Sequence, residues 1–188
     1  VGAFEALWAL LMDDLGAATW VIGVTLSLFV VPMVLIAATG GRVAQRVGAI
    51  RVAAVSVPIA IVTMVLYGLI GEQRDGTTMV WGIVAVSALA AIHAMADAFT
   101  MPALQIAMAQ EAPPELTATG QGMLSAFGLL IALAASGGCA AIYDAVGPFA
   151  AFAVPAGVMA VGIVFSQLRY RPGAGLDEQL VAAAAGET

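Results

Sequence analysis

The stretch LGAATWVIGVTLSLFVVPMVLIAATGG, residues 15–41, has 27 consecutive residues without a charged side chain. A helix rises about 1.5 Å per residue, so roughly 20 apolar residues cross the hydrocarbon core of a bilayer, which is about 30 Å thick. The stretch is therefore long enough for a transmembrane helix, which we predict over about residues 19–39. Gly40 and Gly41 are predicted to close this helix.

Four more uncharged tracts follow, at residues 52–71, 76–96, 116–143 and 145–168. Each has at least 20 residues, so each predicts a further transmembrane helix. The first apolar piece, residues 1–12, is too short to cross a bilayer alone. We expect it to be the outer end of a sixth helix whose beginning is missing, in which case the chain is a fragment.

The composition of the 188 residues agrees with a membrane chain, since 62% are hydrophobic and only 10% are charged. A soluble domain has about 25% charged residues because its surface faces water. The composition excludes a soluble globular enzyme and a disordered segment, and the lack of a basic patch excludes a nucleic-acid partner. We predict an all-α integral membrane protein in contact with membrane lipid, with a six-helix bundle at residues 1–168 and a mobile cytoplasmic tail at residues 169–188.

The arginines predict the orientation of the bundle, because basic residues near span ends are retained on the cytoplasmic side. Five of the six basic residues lie at one predicted end: Arg42, Arg46, Arg51, Arg169 and Arg171. This pattern predicts a multi-pass protein of the plasma membrane, the inner membrane of a bacterium, with a cytoplasmic C-terminus. Trp20 and Trp81 are then expected near the outer interface.

Two segments 99 residues apart are weakly similar: GRVAQRVG at residues 41–48 and AAIYDAVG at residues 140–147. Both end in Val-Gly and precede an apolar helix. The offset corresponds to three predicted helices, so the two copies would point in opposite directions, as in the 3+3 inverted repeats of many secondary transporters. Chance similarity between Ala/Val-rich segments is the alternative.

The segment at residues 41–48, followed by Ala-Ile-Arg51, resembles the loop signature of the major facilitator superfamily. That signature is a Gly, an aliphatic residue, a small residue, an Asp, an Arg, any residue and a Gly, followed by basic residues. In the family it stands between the second and third helices of each six-helix half, which is its predicted place here. Gln45 replaces the Asp, which is a departure from the signature.

Two further segments resemble drug-exporter-like members of this family. FEALW at residues 4–8, followed by DDLG at residues 13–16, is similar to their seventh helix and outer loop. Residues 119–147 are similar to their eleventh helix and the turn after it. The resemblance covers about residues 1–170. Together with Gln45 and the six-helix length, it assigns the chain to the C-terminal half of a major facilitator fold.

The resemblance implies a secondary transporter, present as its C-terminal half, that exports small molecules with proton coupling. The implied partners are the missing N-terminal six-helix half, a small-molecule substrate and protons. The alternative is a self-contained six-helix membrane scaffold or channel-like protein with no transport of its own. We expect no enzymatic activity, cofactor or metal, because the sequence has no phosphate-binding loop, no Ser-His-Asp arrangement and no metal-ligand spacing.

The motif also predicts gating residues. Gly41 and Gly48 permit a tight turn, and Arg42 and Arg46 supply positive charge. In the family this loop helps to latch the outward-facing state, so the resemblance implies a gating role for these four residues and for Gln45. The alternative is a basic loop that only sets the topology.

Three ionisable residues within predicted spans are candidates for substrate or proton coupling: Glu5, His93 and Asp97. A charge at the centre of a bilayer costs about 2.5–3.5 kcal/mol on insertion scales, so such residues usually face a cavity or a partner. His93 and Asp97 are four residues apart, hence on one helix face. An imidazole titrates near neutral pH, and a carboxylate next to it fixes its tautomer. The alternative is that Asp97 lies near the inner interface and that His93 only serves as its hydrogen-bond partner.

Other polar or small residues within the spans have simpler interpretations. Cys139 is predicted to be a packing residue, and Gln105 and Gln121 are candidates for substrate contact. Ala134 and Gly138 have the four-residue spacing that favours close helix contact in membranes.

Overall fold

The computed structural model of the chain describes residues 2–73 and 79–169, and in these residues the backbone is helical with no strand. The six α-helices are α1 (Gly2–Asp14), α2 (Thr19–Val47), α3 (Ala49–Glu72), α4 (Val80–Glu111), α5 (Thr117–Val146) and α6 (Pro148–Arg169). A single 3₁₀ turn, Pro114–Leu116, precedes α5. The part of the predicted tail beyond Arg169 lies outside the described residues.

Five of the helices, α2 to α6, are long and apolar enough to cross a membrane. Each overlaps one of the five uncharged tracts, because a segment with no water to solvate its backbone must satisfy every peptide group within its own helix. α1 has 13 residues and is therefore only about 20 Å long, shorter than a hydrocarbon core. The all-α membrane fold is confirmed, with five helices of spanning length and a short sixth.

The predicted end of the second helix is wrong. α2 continues through Gly40 and Gly41 to Val47, so the proposed basic loop from Arg42 onward is mostly helical. A glycine inside a helix costs about 1 kcal/mol relative to alanine, which a favourable tertiary contact offsets. Gly40 makes such a contact with α4.

A single glycine separates consecutive helices at two places. Gly48 ends α2 with a φ of +106°, and Gly147 ends α5 with a φ of +120°. Each follows a valine, and each is followed at once by the next helix. A residue with a Cβ rarely adopts such φ values, so glycine is the residue that fits both turns. The two segments that the sequence comparison paired therefore have the same local structure.

The buried core lies where α1 meets the other five helices. On α1, Leu7, Trp8 and Leu11 are almost completely buried, and Tyr67 of α3 and Phe152 of α6 pack in the same cluster. The most closely packed helix pairs are α2 with α4, α3 with α6, and α3 with α4. Cys139 is buried in this core, as predicted for a packing residue.

Hydrogen bonds tie the helices together at the end where α1, α3 and α5 terminate. The Tyr143 hydroxyl of α5 donates to Asp14 Oδ2 of α1 over 2.7 Å. The backbone N–H of Phe149, in the first turn of α6, donates to Glu72 Oε1 of α3 over 3.1 Å. The first N–H groups of a helix have no hydrogen-bond partner within that helix. Glu72 therefore caps α6 from another helix by accepting one of these bonds.

Candidate functional site

The centre of the candidate site is the pair His93 and Asp97 on α4. His93 Nε2 lies 3.9 Å from Asp97 Oδ2, which is an ion-pair distance but too long for a hydrogen bond. His93 is 3% exposed and the Asp97 side chain 14%, so both face the bundle interior. The i,i+4 spacing on one helix face brings them together, as the sequence predicts.

Three aromatic side chains from three other helices surround the His93 ring. Phe4 of α1 lies 5.0 Å from it between ring centroids, and Phe29 of α2 lies at 5.8 Å. Tyr67 of α3 stacks on it at 5.9 Å, with the two ring planes 14° apart. We call these three residues and His93 the aromatic cluster. It holds the imidazole in one orientation because a close-packed interior leaves the ring no room to turn.

Two polar atoms in the aromatic cluster are buried and have no hydrogen-bond partner among the described residues. They are the Tyr67 hydroxyl and His93 Nδ1. More than nine in ten buried polar groups in proteins have a partner, so two such atoms on stacked rings mark this place as chemically unusual. A phenol hydroxyl and an imidazole nitrogen can each donate or accept a hydrogen bond.

A neighbouring polar contact between α3 and α4 is, by contrast, internally satisfied. Thr100 Oγ1 lies 2.7 Å from Ser56 Oγ and 2.9 Å from the Ala96 carbonyl oxygen. The Ser56 hydroxyl donates to the Val52 carbonyl over 3.0 Å. These hydroxyls hold the two helices together one turn beyond Asp97, and we assign them a structural role.

Glu5 is not brought together with the other two predicted coupling residues. It is in the first turn of α1 and its side chain is exposed. Its neighbour Phe4 is buried and contacts His93 instead. The described part of α1 therefore contributes an aromatic ring to the site, and the carboxylate points away from the core.

The predicted gating residues lie along the last turns of α2 and at its end. Arg42, Gln45 and Arg46 are exposed, and Arg42 Nη2 lies 3.4 Å from Thr39 Oγ1. A methyl group added at Gly41 would make an ordinary 3.7 Å contact with Pro102 of α4.

The closest packing in this region is at Gly40, which was predicted only to close the helix. A methyl group added there would overlap the Ala98 carbonyl oxygen and lie 3.1 Å from Phe99 Cα. Gly40 therefore sets how closely α2 approaches α4, next to the turn that bears Asp97.

Of the two glutamines predicted as substrate contacts, Gln121 bonds the backbone of the helix that carries the other. Gln121 Nε2 of α5 donates to the backbone carbonyl of Gln105 on α4 over 2.7 Å. The Gln105 side chain is exposed. Within residues 2–73 and 79–169, no group of three or more His, Cys, Asp or Glu side chains could hold a metal ion.

Phe4, Phe29 and Tyr67 were not predicted as site residues from the sequence. The signal available for Tyr67 was a phenol within an otherwise apolar span, which usually has a specific environment. The phenylalanines carry no comparable signal, because a phenylalanine in a membrane helix is common on lipid-facing surfaces too.

Comparison with known proteins gives one match. The model of the MFS_1 like family, in which MFS denotes the major facilitator superfamily, matches residues 1–154. No curated protein and no solved structure is significantly similar to the chain. Because the family match covers most of the 188 residues and the fold is all-helical with five spans, the chain belongs to the MFS_1 like family and is a membrane protein of the major facilitator type.

Proposed function

We propose that the chain is the C-terminal six-helix half of a proton-coupled secondary transporter that exports small molecules. The observation that carries this proposal is the buried His93–Asp97 pair enclosed by the aromatic cluster. The family match supports a transporter of the major facilitator type. Proton coupling, export and the half-transporter assignment go further than the family match.

The depth of the pair supports proton coupling. His93 is 13 residues and Asp97 17 residues from the start of α4, hence about 20 and 26 Å along a helix of about 48 Å. A mostly buried carboxylate within a span is costly when charged, so such residues usually serve ion or proton pathways. Asp97 is partly accessible and His93 is not, which suits Asp97 as the first proton acceptor.

His93 is suited to respond to the proton on Asp97. When Asp97 is charged, its carboxylate favours a proton on the imidazole nearby, and when Asp97 is protonated that attraction is lost. The imidazole also contacts α1, α2 and α3 through the aromatic cluster. Protonation of one carboxyl on α4 would therefore alter the packing of three other helices in the same bundle.

The exposed surfaces of α2 and α5 support a missing partner half. Leu35 of α2 and Leu133 of α5 are each more than 70% exposed, and these two helices are the least buried of the spans. Gly138 has no atom from another helix close to where a Cβ would be, although its spacing from Ala134 favours close helix contact. A second six-helix bundle would cover such surfaces.

The two Val-Gly helix ends support a 3+3 inverted repeat. Gly48 and Gly147 are 99 residues apart, and each joins a long exposed helix to the next one through a single left-handed residue. The pairs α2–α3 and α5–α6 thus correspond in order and in turn geometry.

The basic residues Arg42, Arg46 and Arg51 lie at the end where α2 stops and α3 starts, and we assign this end and the C-terminus to the cytoplasm.

Substitution of Asp97 tests the coupling role. We expect Asp97→Asn in the full-length protein to remove more than half of the accumulation of lipophilic test compounds by everted vesicles given an artificial pH gradient. The matched control is Asp144→Asn, because Asp144 is an exposed carboxylate outside the bundle interior. Retention of more than half of the gradient-driven accumulation in Asp97→Asn, at equal protein levels, would refute proton coupling through this residue.

The half-transporter assignment has a separate test. The open reading frame upstream of Val1 is expected to encode six further apolar spans and a second copy of the loop motif that retains its Asp. A start codon immediately before Val1 would contradict the assignment and favour the alternative, a self-contained six-helix scaffold or channel-like protein.

A further inference from the structure

An apolar groove of about 500 Å³ opens on the side of the bundle between α3 and α4, next to the C-terminal end of α2. Its walls are formed by Val43 of α2, Val55 and Ile59 of α3, and Ile92 and Phe99 of α4. The volume lies within the range of roughly 300–1,000 Å³ that is typical of small-molecule sites.

The groove is concave because small side chains form its floor between larger ones. Ala96 and Ser56 are both buried at the bottom. The Ser56 hydroxyl already donates to the Val52 carbonyl oxygen, so the floor offers a ligand no free donor. The body of the groove therefore suits a hydrocarbon chain and not a polar molecule.

The groove is separate from the His93–Asp97 site. Ile92, Ala96 and Phe99 follow the i, i+4, i+7 pattern of one helix face. His93 and Asp97 each come one residue later and so lie about 100° further around α4. The groove faces outward while the pair faces the bundle interior, so a ligand in the groove would not contact the proposed coupling residues.

Arg51 lies at one end of the groove, in the first turn of α3, and its side chain is exposed. No acidic side chain among the described residues lies within ion-pair distance of it. A cation is disfavoured at a helix N-terminus, so the stability of α3 does not explain an arginine there. An anion would be attracted both by the guanidinium and by the helix end, and guanidinium groups bind phosphate well.

We propose that this groove binds an anionic phospholipid, with one acyl chain along Val55 and Ile59 and the phosphate on Arg51. From Arg51 to Ile59 the groove extends about 12 Å into the membrane from the charged end of α3. Replacing one lipid chain in the groove by another changes the binding free energy little, because lipid chains are as apolar as the groove walls. Selectivity must therefore come from the headgroup charge, as in other basic pockets between transmembrane helices.

The test uses phosphatidylglycerol with a photoreactive diazirine in one acyl chain, added to the full-length protein in nanodiscs of phosphatidylcholine. Cross-linked residues are mapped by mass spectrometry. We expect labelling of residues 52–59 and 92–99, with about five-fold less for Arg51→Gln, which corresponds to about 1 kcal/mol per basic residue near an anionic lipid. The matched charge control is Arg46→Gln, because Arg46 is exposed on α2 but does not line the groove.

A second pair of variants tests the apolar part without changing the charge. Val55→Phe adds bulk at the groove wall, whereas Val62→Phe adds the same bulk two turns further along α3, outside it. Both valines are more than half exposed, so both variants are expected to fold. We expect only Val55→Phe to reduce the labelling.

Three outcomes would overturn the proposal. The first is equal labelling by the phosphatidylcholine analogue, which would mean that the groove is filled by bulk lipid. The second is an equal loss in Arg46→Gln and Arg51→Gln, which would indicate diffuse surface charge. The third is labelling confined to residues outside the groove.

Discussion

Substitution of Gly40 by alanine should separate α2 from α4. A methyl group at Gly40 would overlap the Ala98 carbonyl oxygen and lie 3.1 Å from Phe99 Cα. Both are backbone atoms, so neither can rotate away as the end of a flexible side chain could. The two helices must move apart along one of the most closely packed pairs in the bundle.

The cost follows from two opposing effects. Overpacking a close-packed interior by one methyl group costs about 1–3 kcal/mol. Alanine is a better helix former than glycine by about 0.8–1.0 kcal/mol, which partly offsets the overpacking. Gly41→Ala separates the two effects, because its methyl group would lie 3.7 Å from Pro102 Cβ, an ordinary contact. We expect Gly41→Ala to be neutral or slightly stabilising.

The measurement is the free energy of unfolding in mixed micelles, from denaturing-detergent titrations of the wild-type protein and both variants. We expect Gly40→Ala to be less stable than Gly41→Ala by about 1–3 kcal/mol. Agreement of the two variants within about 0.5 kcal/mol, the usual scatter of neutral substitutions, would show that α2 and α4 do not approach closely at Gly40.

Two further predictions concern the hydrogen bonds at the end of the bundle where α1, α3 and α5 terminate. Glu72→Ala removes the acceptor for the Phe149 N–H and should lower the free energy of unfolding by about 0.5–2 kcal/mol, whereas Glu72→Gln retains an acceptor oxygen and should cost less. Equal losses in the same titrations would contradict capping of α6 by this side chain. Tyr143→Phe removes a hydrogen bond to the Asp14 carboxylate and should lower the free energy of unfolding by about 1.5–3 kcal/mol. An unchanged free energy of unfolding would show that this bond does not stabilise the contact between α5 and α1.

The helices could be predicted from the sequence because a membrane imposes one strong requirement. Each tract without charges had to be helical, and the structure has a long helix at each of the five tracts. The error at Gly40 and Gly41 has a physical reason. A glycine pair often ends a helix, and the sequence alone does not show that Gly40 packs against a backbone carbonyl 58 residues away in the chain.

The candidate site was only partly predictable. His93 and Asp97 are close because residues four apart are neighbours on a helix, and this spacing can be read from the sequence. The rings around His93 come from Phe4, Phe29 and Tyr67, each on a different helix. The exposure of Glu5 was equally hidden, because the docking of α1 decides which face of that helix meets the core.

The class of protein, the number of long spans and the spacing of the intramembrane ionisable residues could all be predicted from the amino-acid sequence. These properties depend on the solvation of single residues and on the geometry of one helix, both of which are local. The tertiary structure decided that the imidazole is enclosed by aromatic rings, that α2 continues to Val47, and that a groove forms beside Arg51. Such features arise from contacts between helices, where lipid and protein surfaces are similarly apolar and only shape selects the partner.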